Sequence, residues 1–196
     1  MRKMMAVLSF VFVLVLTVGC AKPPQDAINA ATASLDSAKA TASEYAADSL
    51  RAAEDAKAAL DAELKAQEAK FALFRSYKHT DELVNDLKAK SEKAAADAKA
   101  GMEQAKNDAT TAINDATTAL TDAKAALDKA PKGKGTAADL EAMKADLTAA
   151  ESTINDANAA MSAEKYKDAK AKADAAKASA MNVSSQVQAA IDAKKH

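Results

Sequence analysis

Residues 109–127 of this 196-residue chain read ATTAINDATTALTDAKAAL and contain the pattern that decides the fold. The large apolar residues Ile113, Leu120 and Leu127 are seven positions apart, and an alanine lies on the alternate core position between each pair. This repeat places large side chains on one face of a helix, where they pack against a neighbouring helix. The same interval recurs at Ile28 and Leu35, and at Leu140, Leu147, Ile154 and Met161.

The composition also favours an all-α protein. The chain has 4 Gly, 3 Pro, no Trp and 4% aromatic residues, and most of its apolar residues are alanine, the strongest helix former. Without Arg2 and Lys3, which we expect to be removed, 25 of the 27 basic residues remain against 28 acidic ones, a net charge of −3. This balance gives no positive field for a phosphate backbone, so we expect no nucleic-acid partner.

The N-terminus has the features of an export signal. Arg2 and Lys3 precede an apolar stretch, residues 4–18, of about fifteen residues, whereas a membrane-spanning helix needs roughly 20. The stretch ends in LTVGC at residues 16–20, which resembles a bacterial lipobox with Thr17 in the place usually taken by leucine.

The lipobox resemblance implies that residues 1–19 are a signal peptide and that Cys20 becomes the lipidated N-terminus of a lipoprotein. Several acyl chains, palmitate among them, anchor a protein durably where one chain is reversible. Ala21 rather than aspartate follows the cysteine, which favours the periplasmic face of the outer membrane. The alternatives are an uncleaved anchor, or ordinary cleavage that leaves a free Cys20.

Turn signals divide the rest of the chain into three segments. Residues 20–25 contain paired prolines and are expected to form a lipidated tether. Residues 26–196 are expected to form a helical bundle, with helices at about 26–77, 80–129 and 136–193. Their similar lengths predict an elongated antiparallel three-helix bundle or coiled coil about 75 Å long. Thr80 is the expected N-cap of the second helix.

The apolar pattern also predicts which residues are buried and which meet. In the three-rod arrangement, Ile28 and Leu35 would lie beside Leu120 and Leu127 at one end. The predicted stripe of the second helix includes Val84, Leu87, Ser91, Ala94, Ala98, Met102, Ala105 and Ala109, and continues to Leu127.

Two stretches resemble a family of uncharacterised alanine-rich bacterial lipoproteins, defined by a domain of unknown function. Residues 45–53 (YAADSLRAA) are similar to its Tyr-Ala-Pro helix start, with Ala47 in place of the proline. Residues 164–169 (EKYKDA) are similar to its Gly-Asp-Tyr stretch, with Glu164 in place of the glycine. The resemblance implies a helical periplasmic lipoprotein. It leaves open an alternative, in which turns near 43–48 and 161–165 make tetratricopeptide-like hairpins and the middle protrudes as a coiled coil.

Candidate site residues are few. Phe71, Phe74 and Tyr77 form a group that is more often core than surface, but any exposed part of it is the best candidate for a partner contact. His79 and its two acidic neighbours are too sparse for a metal site. No nucleophile lies beside a base in any recognisable motif, so we expect no catalysis, metal, cofactor or small-molecule substrate.

The sequence therefore favours a structural or interaction role, as a lipid-anchored periplasmic spacer or adaptor of the bacterial cell envelope. One alternative is a helical module that binds an envelope protein or peptidoglycan. A further alternative is a stress- or desiccation-protective protein, because stretches such as residues 170–180 are rich in lysine and alanine. Cys20 would connect the chain to the membrane in each of these roles.

Overall fold

A computed structural model describes residues 22–130 and 137–194, and all their regular elements are helical. The α-helices are α1 (Gln25–Tyr45), α2 (Ala47–Glu68), α3 (Lys78–Asp128), α4 (Ala137–Ser162) and α5 (Tyr166–Lys194). A short 3-10 helix, Ala72–Phe74, lies between α2 and α3. The predicted all-α helical bundle is confirmed.

The chain divides into two compact units, Met1–Lys99 and Ala100–His196, and the boundary falls within α3. The first unit packs α1, α2 and the first part of α3 around one apolar core. Half of the core side chains are alanine, as the heptad pattern predicts. The buried members are Ile28, Ala31, Leu35, Ala42, Leu50, Ala53, Ala56, Leu60, Val84, Leu87, Ala94 and Ala98.

The second unit packs the rest of α3 against α4 and α5. Its core also combines alanine with a few large side chains, among them Leu120, Leu127, Leu147, Ile154 and Val183. Two ion pairs cross between its helices. Lys124 Nζ lies 2.6 Å from Glu151 Oε2, and Lys177 Nζ lies 2.8 Å from Asp115 Oδ2. These pairs are largely solvent-exposed, so each contributes less than about 1 kcal/mol.

The segment 26–77 is not one helix, and the prediction of a continuous first rod is wrong. The helical path is interrupted at Ala46, whose φ of −148° and ψ of 49° are not helical. Lys39 Nζ lies 2.8 Å from Glu54 Oε1, so α2 folds back on α1. The reversal brings the large side chains of both helices into one core, which a single straight helix could not do alone.

The segment 136–193 is also broken, because α4 ends at Ser162 and α5 begins at Tyr166. Glu164 has a left-handed φ of 59°. The N–H of Lys165 donates to the Ala160 carbonyl at 2.9 Å, and the N–H of Glu164 donates to the Met161 carbonyl at 3.1 Å. This is a Schellman helix end, in which the left-handed position favours glycine.

Both turns of the alternative architecture are therefore present, and α1–α2 and α4–α5 are helical hairpins. The middle of the chain does not form a separate coiled coil, since α3 supplies side chains to both cores. The predicted register is wrong for the same reason. Ile28 and Leu35 belong to the first core, whereas Leu120 and Leu127 belong to the second.

Helix α3 agrees with its predicted segment within two residues at either end. Most of its predicted stripe is buried, but Met102, Ala105 and Ile113 are only half-buried, and Ala112 is buried beside Ile113. Thr80 is not the N-cap, because α3 begins two residues earlier and the N–H of Asp81 already donates to the Tyr77 carbonyl at 3.0 Å. The Thr80 side chain is instead fully buried.

We expect Glu164→Gly to raise the free energy of unfolding by about 0.5–1 kcal/mol. A non-glycine residue pays about 1–2 kcal/mol in the left-handed region, and part of the gain is lost to the greater freedom of glycine in the unfolded chain. Urea unfolding followed by circular dichroism measures the change. Glu103→Gly, at an exposed position inside α3, should instead destabilise by about 1 kcal/mol. Equal destabilisation by both variants would show that the turn at Glu164 is not left-handed.

A polar contact between α2 and α3 supplies a pH-dependent prediction in the first unit. Ser49 on α2 donates a hydrogen bond to the Asp97 carboxylate on α3, and Lys93 Nζ donates to it at 2.6 Å. Lys93 first and Ser49 second lower the pKa of Asp97 from its usual 3.8. A carboxyl group with a lowered folded pKa stabilises the fold above its unfolded pKa, and this contribution is lost as the pH falls through the folded value.

We expect Ser49→Ala to raise the pKa of Asp97 while leaving it below 3.8, because Lys93 remains in place. Carbon NMR titration of the carboxyl groups measures this shift. Ser43→Ala is the matched control, since the Ser43 hydroxyl donates to the Ala40 carbonyl and touches no carboxylate. An Asp97 titration that is the same in both variants would contradict the α2–α3 contact.

Candidate functional site

Cys20 lies outside the described residues, and the described chain begins at the end of the predicted tether. Residues 22–24 belong to no helix or strand, and Pro24, with φ −75° and ψ 69°, directly precedes α1. The Gln25 N–H donates to the Pro23 carbonyl at 2.8 Å, and the Ile28 N–H donates to the Pro24 carbonyl at 3.0 Å. Within residues 22–130 and 137–194, no helix is both long and apolar enough to cross a bilayer.

The candidate contact residues lie in the connection between α2 and α3, residues 69–77, which we call the aromatic loop. Phe71 and Phe74 are 70% and 75% exposed, and Leu73 between them is 62% exposed. Their burial, which was the favoured expectation, is wrong for both phenylalanines. Since α2 ends at Glu68, the helical period no longer carries these positions onto the buried face.

Tyr77 does not share this exposed surface. Its side chain is only 8% exposed, directly before α3, and is not accessible to a partner. The two phenylalanine rings lie 6.4 Å apart between centroids, tilted at 51°. Leu73 completes an exposed apolar surface of three large side chains, and the sequence analysis does not include it. The feature of the sequence that points to Leu73 is its position between two phenylalanines.

The aromatic loop is held in place by polar groups at the end of α2. Arg75 Nε donates to the Lys70 carbonyl at 3.1 Å, and Arg75 Nη2 donates to the Glu68 carbonyl at 3.0 Å. The buried Gln67 side chain accepts a hydrogen bond from the Ser76 N–H at 3.0 Å. The bond to Glu68 satisfies one of the carbonyls that a helix end leaves without an intrahelical partner, and the other two bonds fix the loop itself. The exposed rings are thus carried by a hydrogen-bonded turn.

The aromatic loop contains basic side chains and no carboxylate, whereas Glu68 directly precedes it and Asp81 and Glu82 follow Thr80. From residue 69 to residue 80 the sequence contains Lys70, Arg75 and Lys78 but no carboxylate. His79 follows them, and a 3.0 Å contact with Glu82 is the main cause that raises its pKa above the usual 6.5. The aromatic loop therefore combines exposed apolar side chains with the basic residues Lys70 and Arg75, and Lys78 follows it.

Outside the aromatic loop, the described part of the chain has a further candidate region, an open groove in the second unit. No group of three or more His, Cys, Asp and Glu side chains among the described residues could hold a metal ion. The groove, of about 380 Å³, is lined by Asp115, Thr118, Asp122, Lys177, Met181 and Ser184, among others. Asp115 and Lys177 pair with each other, and the groove contains no histidine or cysteine to form a nucleophile–base pair.

No protein-family model matches the chain, and neither a curated protein nor a solved structure is significantly similar to it.

Proposed function

We propose that this chain is a lipid-anchored periplasmic spacer or adaptor of the bacterial cell envelope, which works through its reach and its surfaces and not through catalysis. The observation that carries the proposal is LTVGC at residues 16–20, directly after an apolar run with two basic residues before it. Cys20 is also the only cysteine of the chain, so no intramolecular disulfide competes for it.

The described residues support this proposal in two ways. The chain between Cys20 and α1 is short and contains two prolines, which suits a spacer between a lipid and a folded unit. The charged side chains lie on exposed helix faces and pair largely with one another, as Asp86 and Lys90 do at 2.8 Å. Such faces keep helices soluble and offer no buried acid or base for chemistry.

The outer membrane is the proposed location, because Ala21 and not aspartate follows Cys20. The family resemblance at residues 45–53 and 164–169 supports the same type of protein and adds no activity. Both stretches lie at hairpin turns of the structure, where such motifs would place them.

We expect the chain, produced with its signal in a bacterial host, to incorporate labelled palmitate and to have a mass equal to residues 20–196 plus acyl groups. Each methylene of an acyl chain contributes about 0.8 kcal/mol to membrane binding, so the acylated chain should sediment with outer membranes. Cys20→Ala should abolish palmitate labelling.

Thr17→Leu is the matched control, since it completes the lipobox pattern and should preserve labelling. A parent chain without acyl groups would overturn the proposed anchor. If it then stayed in the membrane with residues 1–19 attached, it would have an uncleaved anchor instead.

A further inference from the structure

The aromatic loop lies at the same end of the first unit as the beginning of α1. Helices α1 and α2 have 21 and 22 residues, about 32 Å each at 1.5 Å per residue. Only Ala46 separates them, and the ion pair between Lys39 and Glu54 joins positions seven and eight residues from that turn. The end of α2 at Glu68, directly before the aromatic loop, therefore lies at about the same height along the hairpin as Gln25 at the start of α1.

The covalent chain limits how far this end can be from the lipid. Five residues lead from Cys20 to Gln25, and they span at most about 18 Å when fully extended. If Cys20 carries acyl chains, the beginning of α1 stays within that distance of the headgroups. The aromatic loop, at the same end of the hairpin, is then held close to the bilayer surface.

The chemistry of the aromatic loop fits the interfacial region of a bilayer. This region accepts apolar and aromatic side chains below the headgroups and attracts lysine and arginine to anionic phosphates. Phe71, Leu73 and Phe74 supply the apolar part, and Lys70 and Lys78 are exposed beside them. No carboxylate interrupts residues 69–80.

We propose that the aromatic loop is a second membrane contact, which inserts Phe71, Leu73 and Phe74 into the interface of the bilayer that anchors Cys20. This inference rests on the proposed lipid anchor for its geometry. The lipid interface is the occupant of this apolar surface because the tether brings that surface to the headgroups and because residues 69–80 contain basic side chains and no carboxylate.

The test uses the absence of tryptophan from the chain. Phe74→Trp, made in the full-length gene and purified as the processed protein, contains a single tryptophan, in the aromatic loop, which is excited at wavelengths where the tyrosines do not absorb. The protein is reconstituted into vesicles of phosphatidylethanolamine and phosphatidylglycerol, with or without brominated acyl chains. We expect the emission of residue 74 to shift to shorter wavelength in vesicles and to lose intensity with the brominated lipid.

Ala47→Trp is the matched control. Ala47 is exposed at the first residue of α2, about 32 Å from the aromatic loop along the hairpin. Its emission should stay at the wavelength seen in water and should not respond to brominated lipid. Circular dichroism of both variants verifies that the helices are intact, which is expected because both substituted positions are exposed.

A residue-74 signal that brominated lipid quenches no more than the residue-47 signal would overturn the proposal. The proposal would also be overturned if Trp at position 74 were shielded from soluble acrylamide but not quenched by brominated lipid. That result would indicate that a protein partner or a second copy of the chain covers the loop. Replacing Phe71 and Leu73 by serine in the Phe74→Trp chain should weaken the wavelength shift and the quenching.

The mass of the same purified protein separates this proposal from the proposed anchor. Acyl groups on Cys20 together with an unquenched residue 74 would leave the anchor in place and remove the second contact. An unacylated chain whose residue 74 is quenched by added vesicles would remove the anchor and support the membrane-binding loop.

Discussion

The large apolar side chains of this protein can leave water only by packing across helices, because its helices consist mostly of alanine and charged residues. Full burial of a leucine or isoleucine contributes about 1.5–3 kcal/mol, whereas an alanine methyl contributes about as much as one methylene, near 0.8 kcal/mol. Alanine accounts for six of the twelve core residues in the first unit and nine of sixteen in the second. Each unit therefore depends on turns that bring a few large side chains together.

The heptad spacing predicted the helical segments and most of their buried faces, but the preferred three-rod arrangement contained neither the turn at Ala46 nor the turn at Glu164. Alanine-rich sequence around Ala46 contains no glycine or proline, so local propensity favours a continuous helix and only tertiary packing decides the break. The turn at Glu164 leaves a weak trace. Ala160 and Tyr166 are consecutive buried residues that are six positions apart. In a continuous helix the next buried residue would follow after three or four positions.

The candidate site was only partly predictable for a related reason. Phe71, Phe74 and Tyr77 are spaced by three, which is a helical pattern and indicates a common buried face. The pattern fails because α2 ends before them, at Glu68, and because Arg75 donates to the Glu68 carbonyl at that helix end. A side chain that folds back to cap a helix produces no periodic pattern in the sequence. The sequence therefore predicts the same burial for Tyr77 and for the two phenylalanines.

The exposed rings are difficult to explain by folding alone. Leaving two phenylalanines in water forgoes about 1.5–3 kcal/mol each, a large fraction of the roughly 5–15 kcal/mol by which domains are stable. Hydrogen bonds from Arg75 and to Gln67 nevertheless hold the aromatic loop in this arrangement. A contact that removes the two rings from water would make the same hydrophobic free energy available to stabilise binding. Together with a lipid on Cys20, it would give the α1–α2 hairpin two points of attachment and restrict its rotation about the tether.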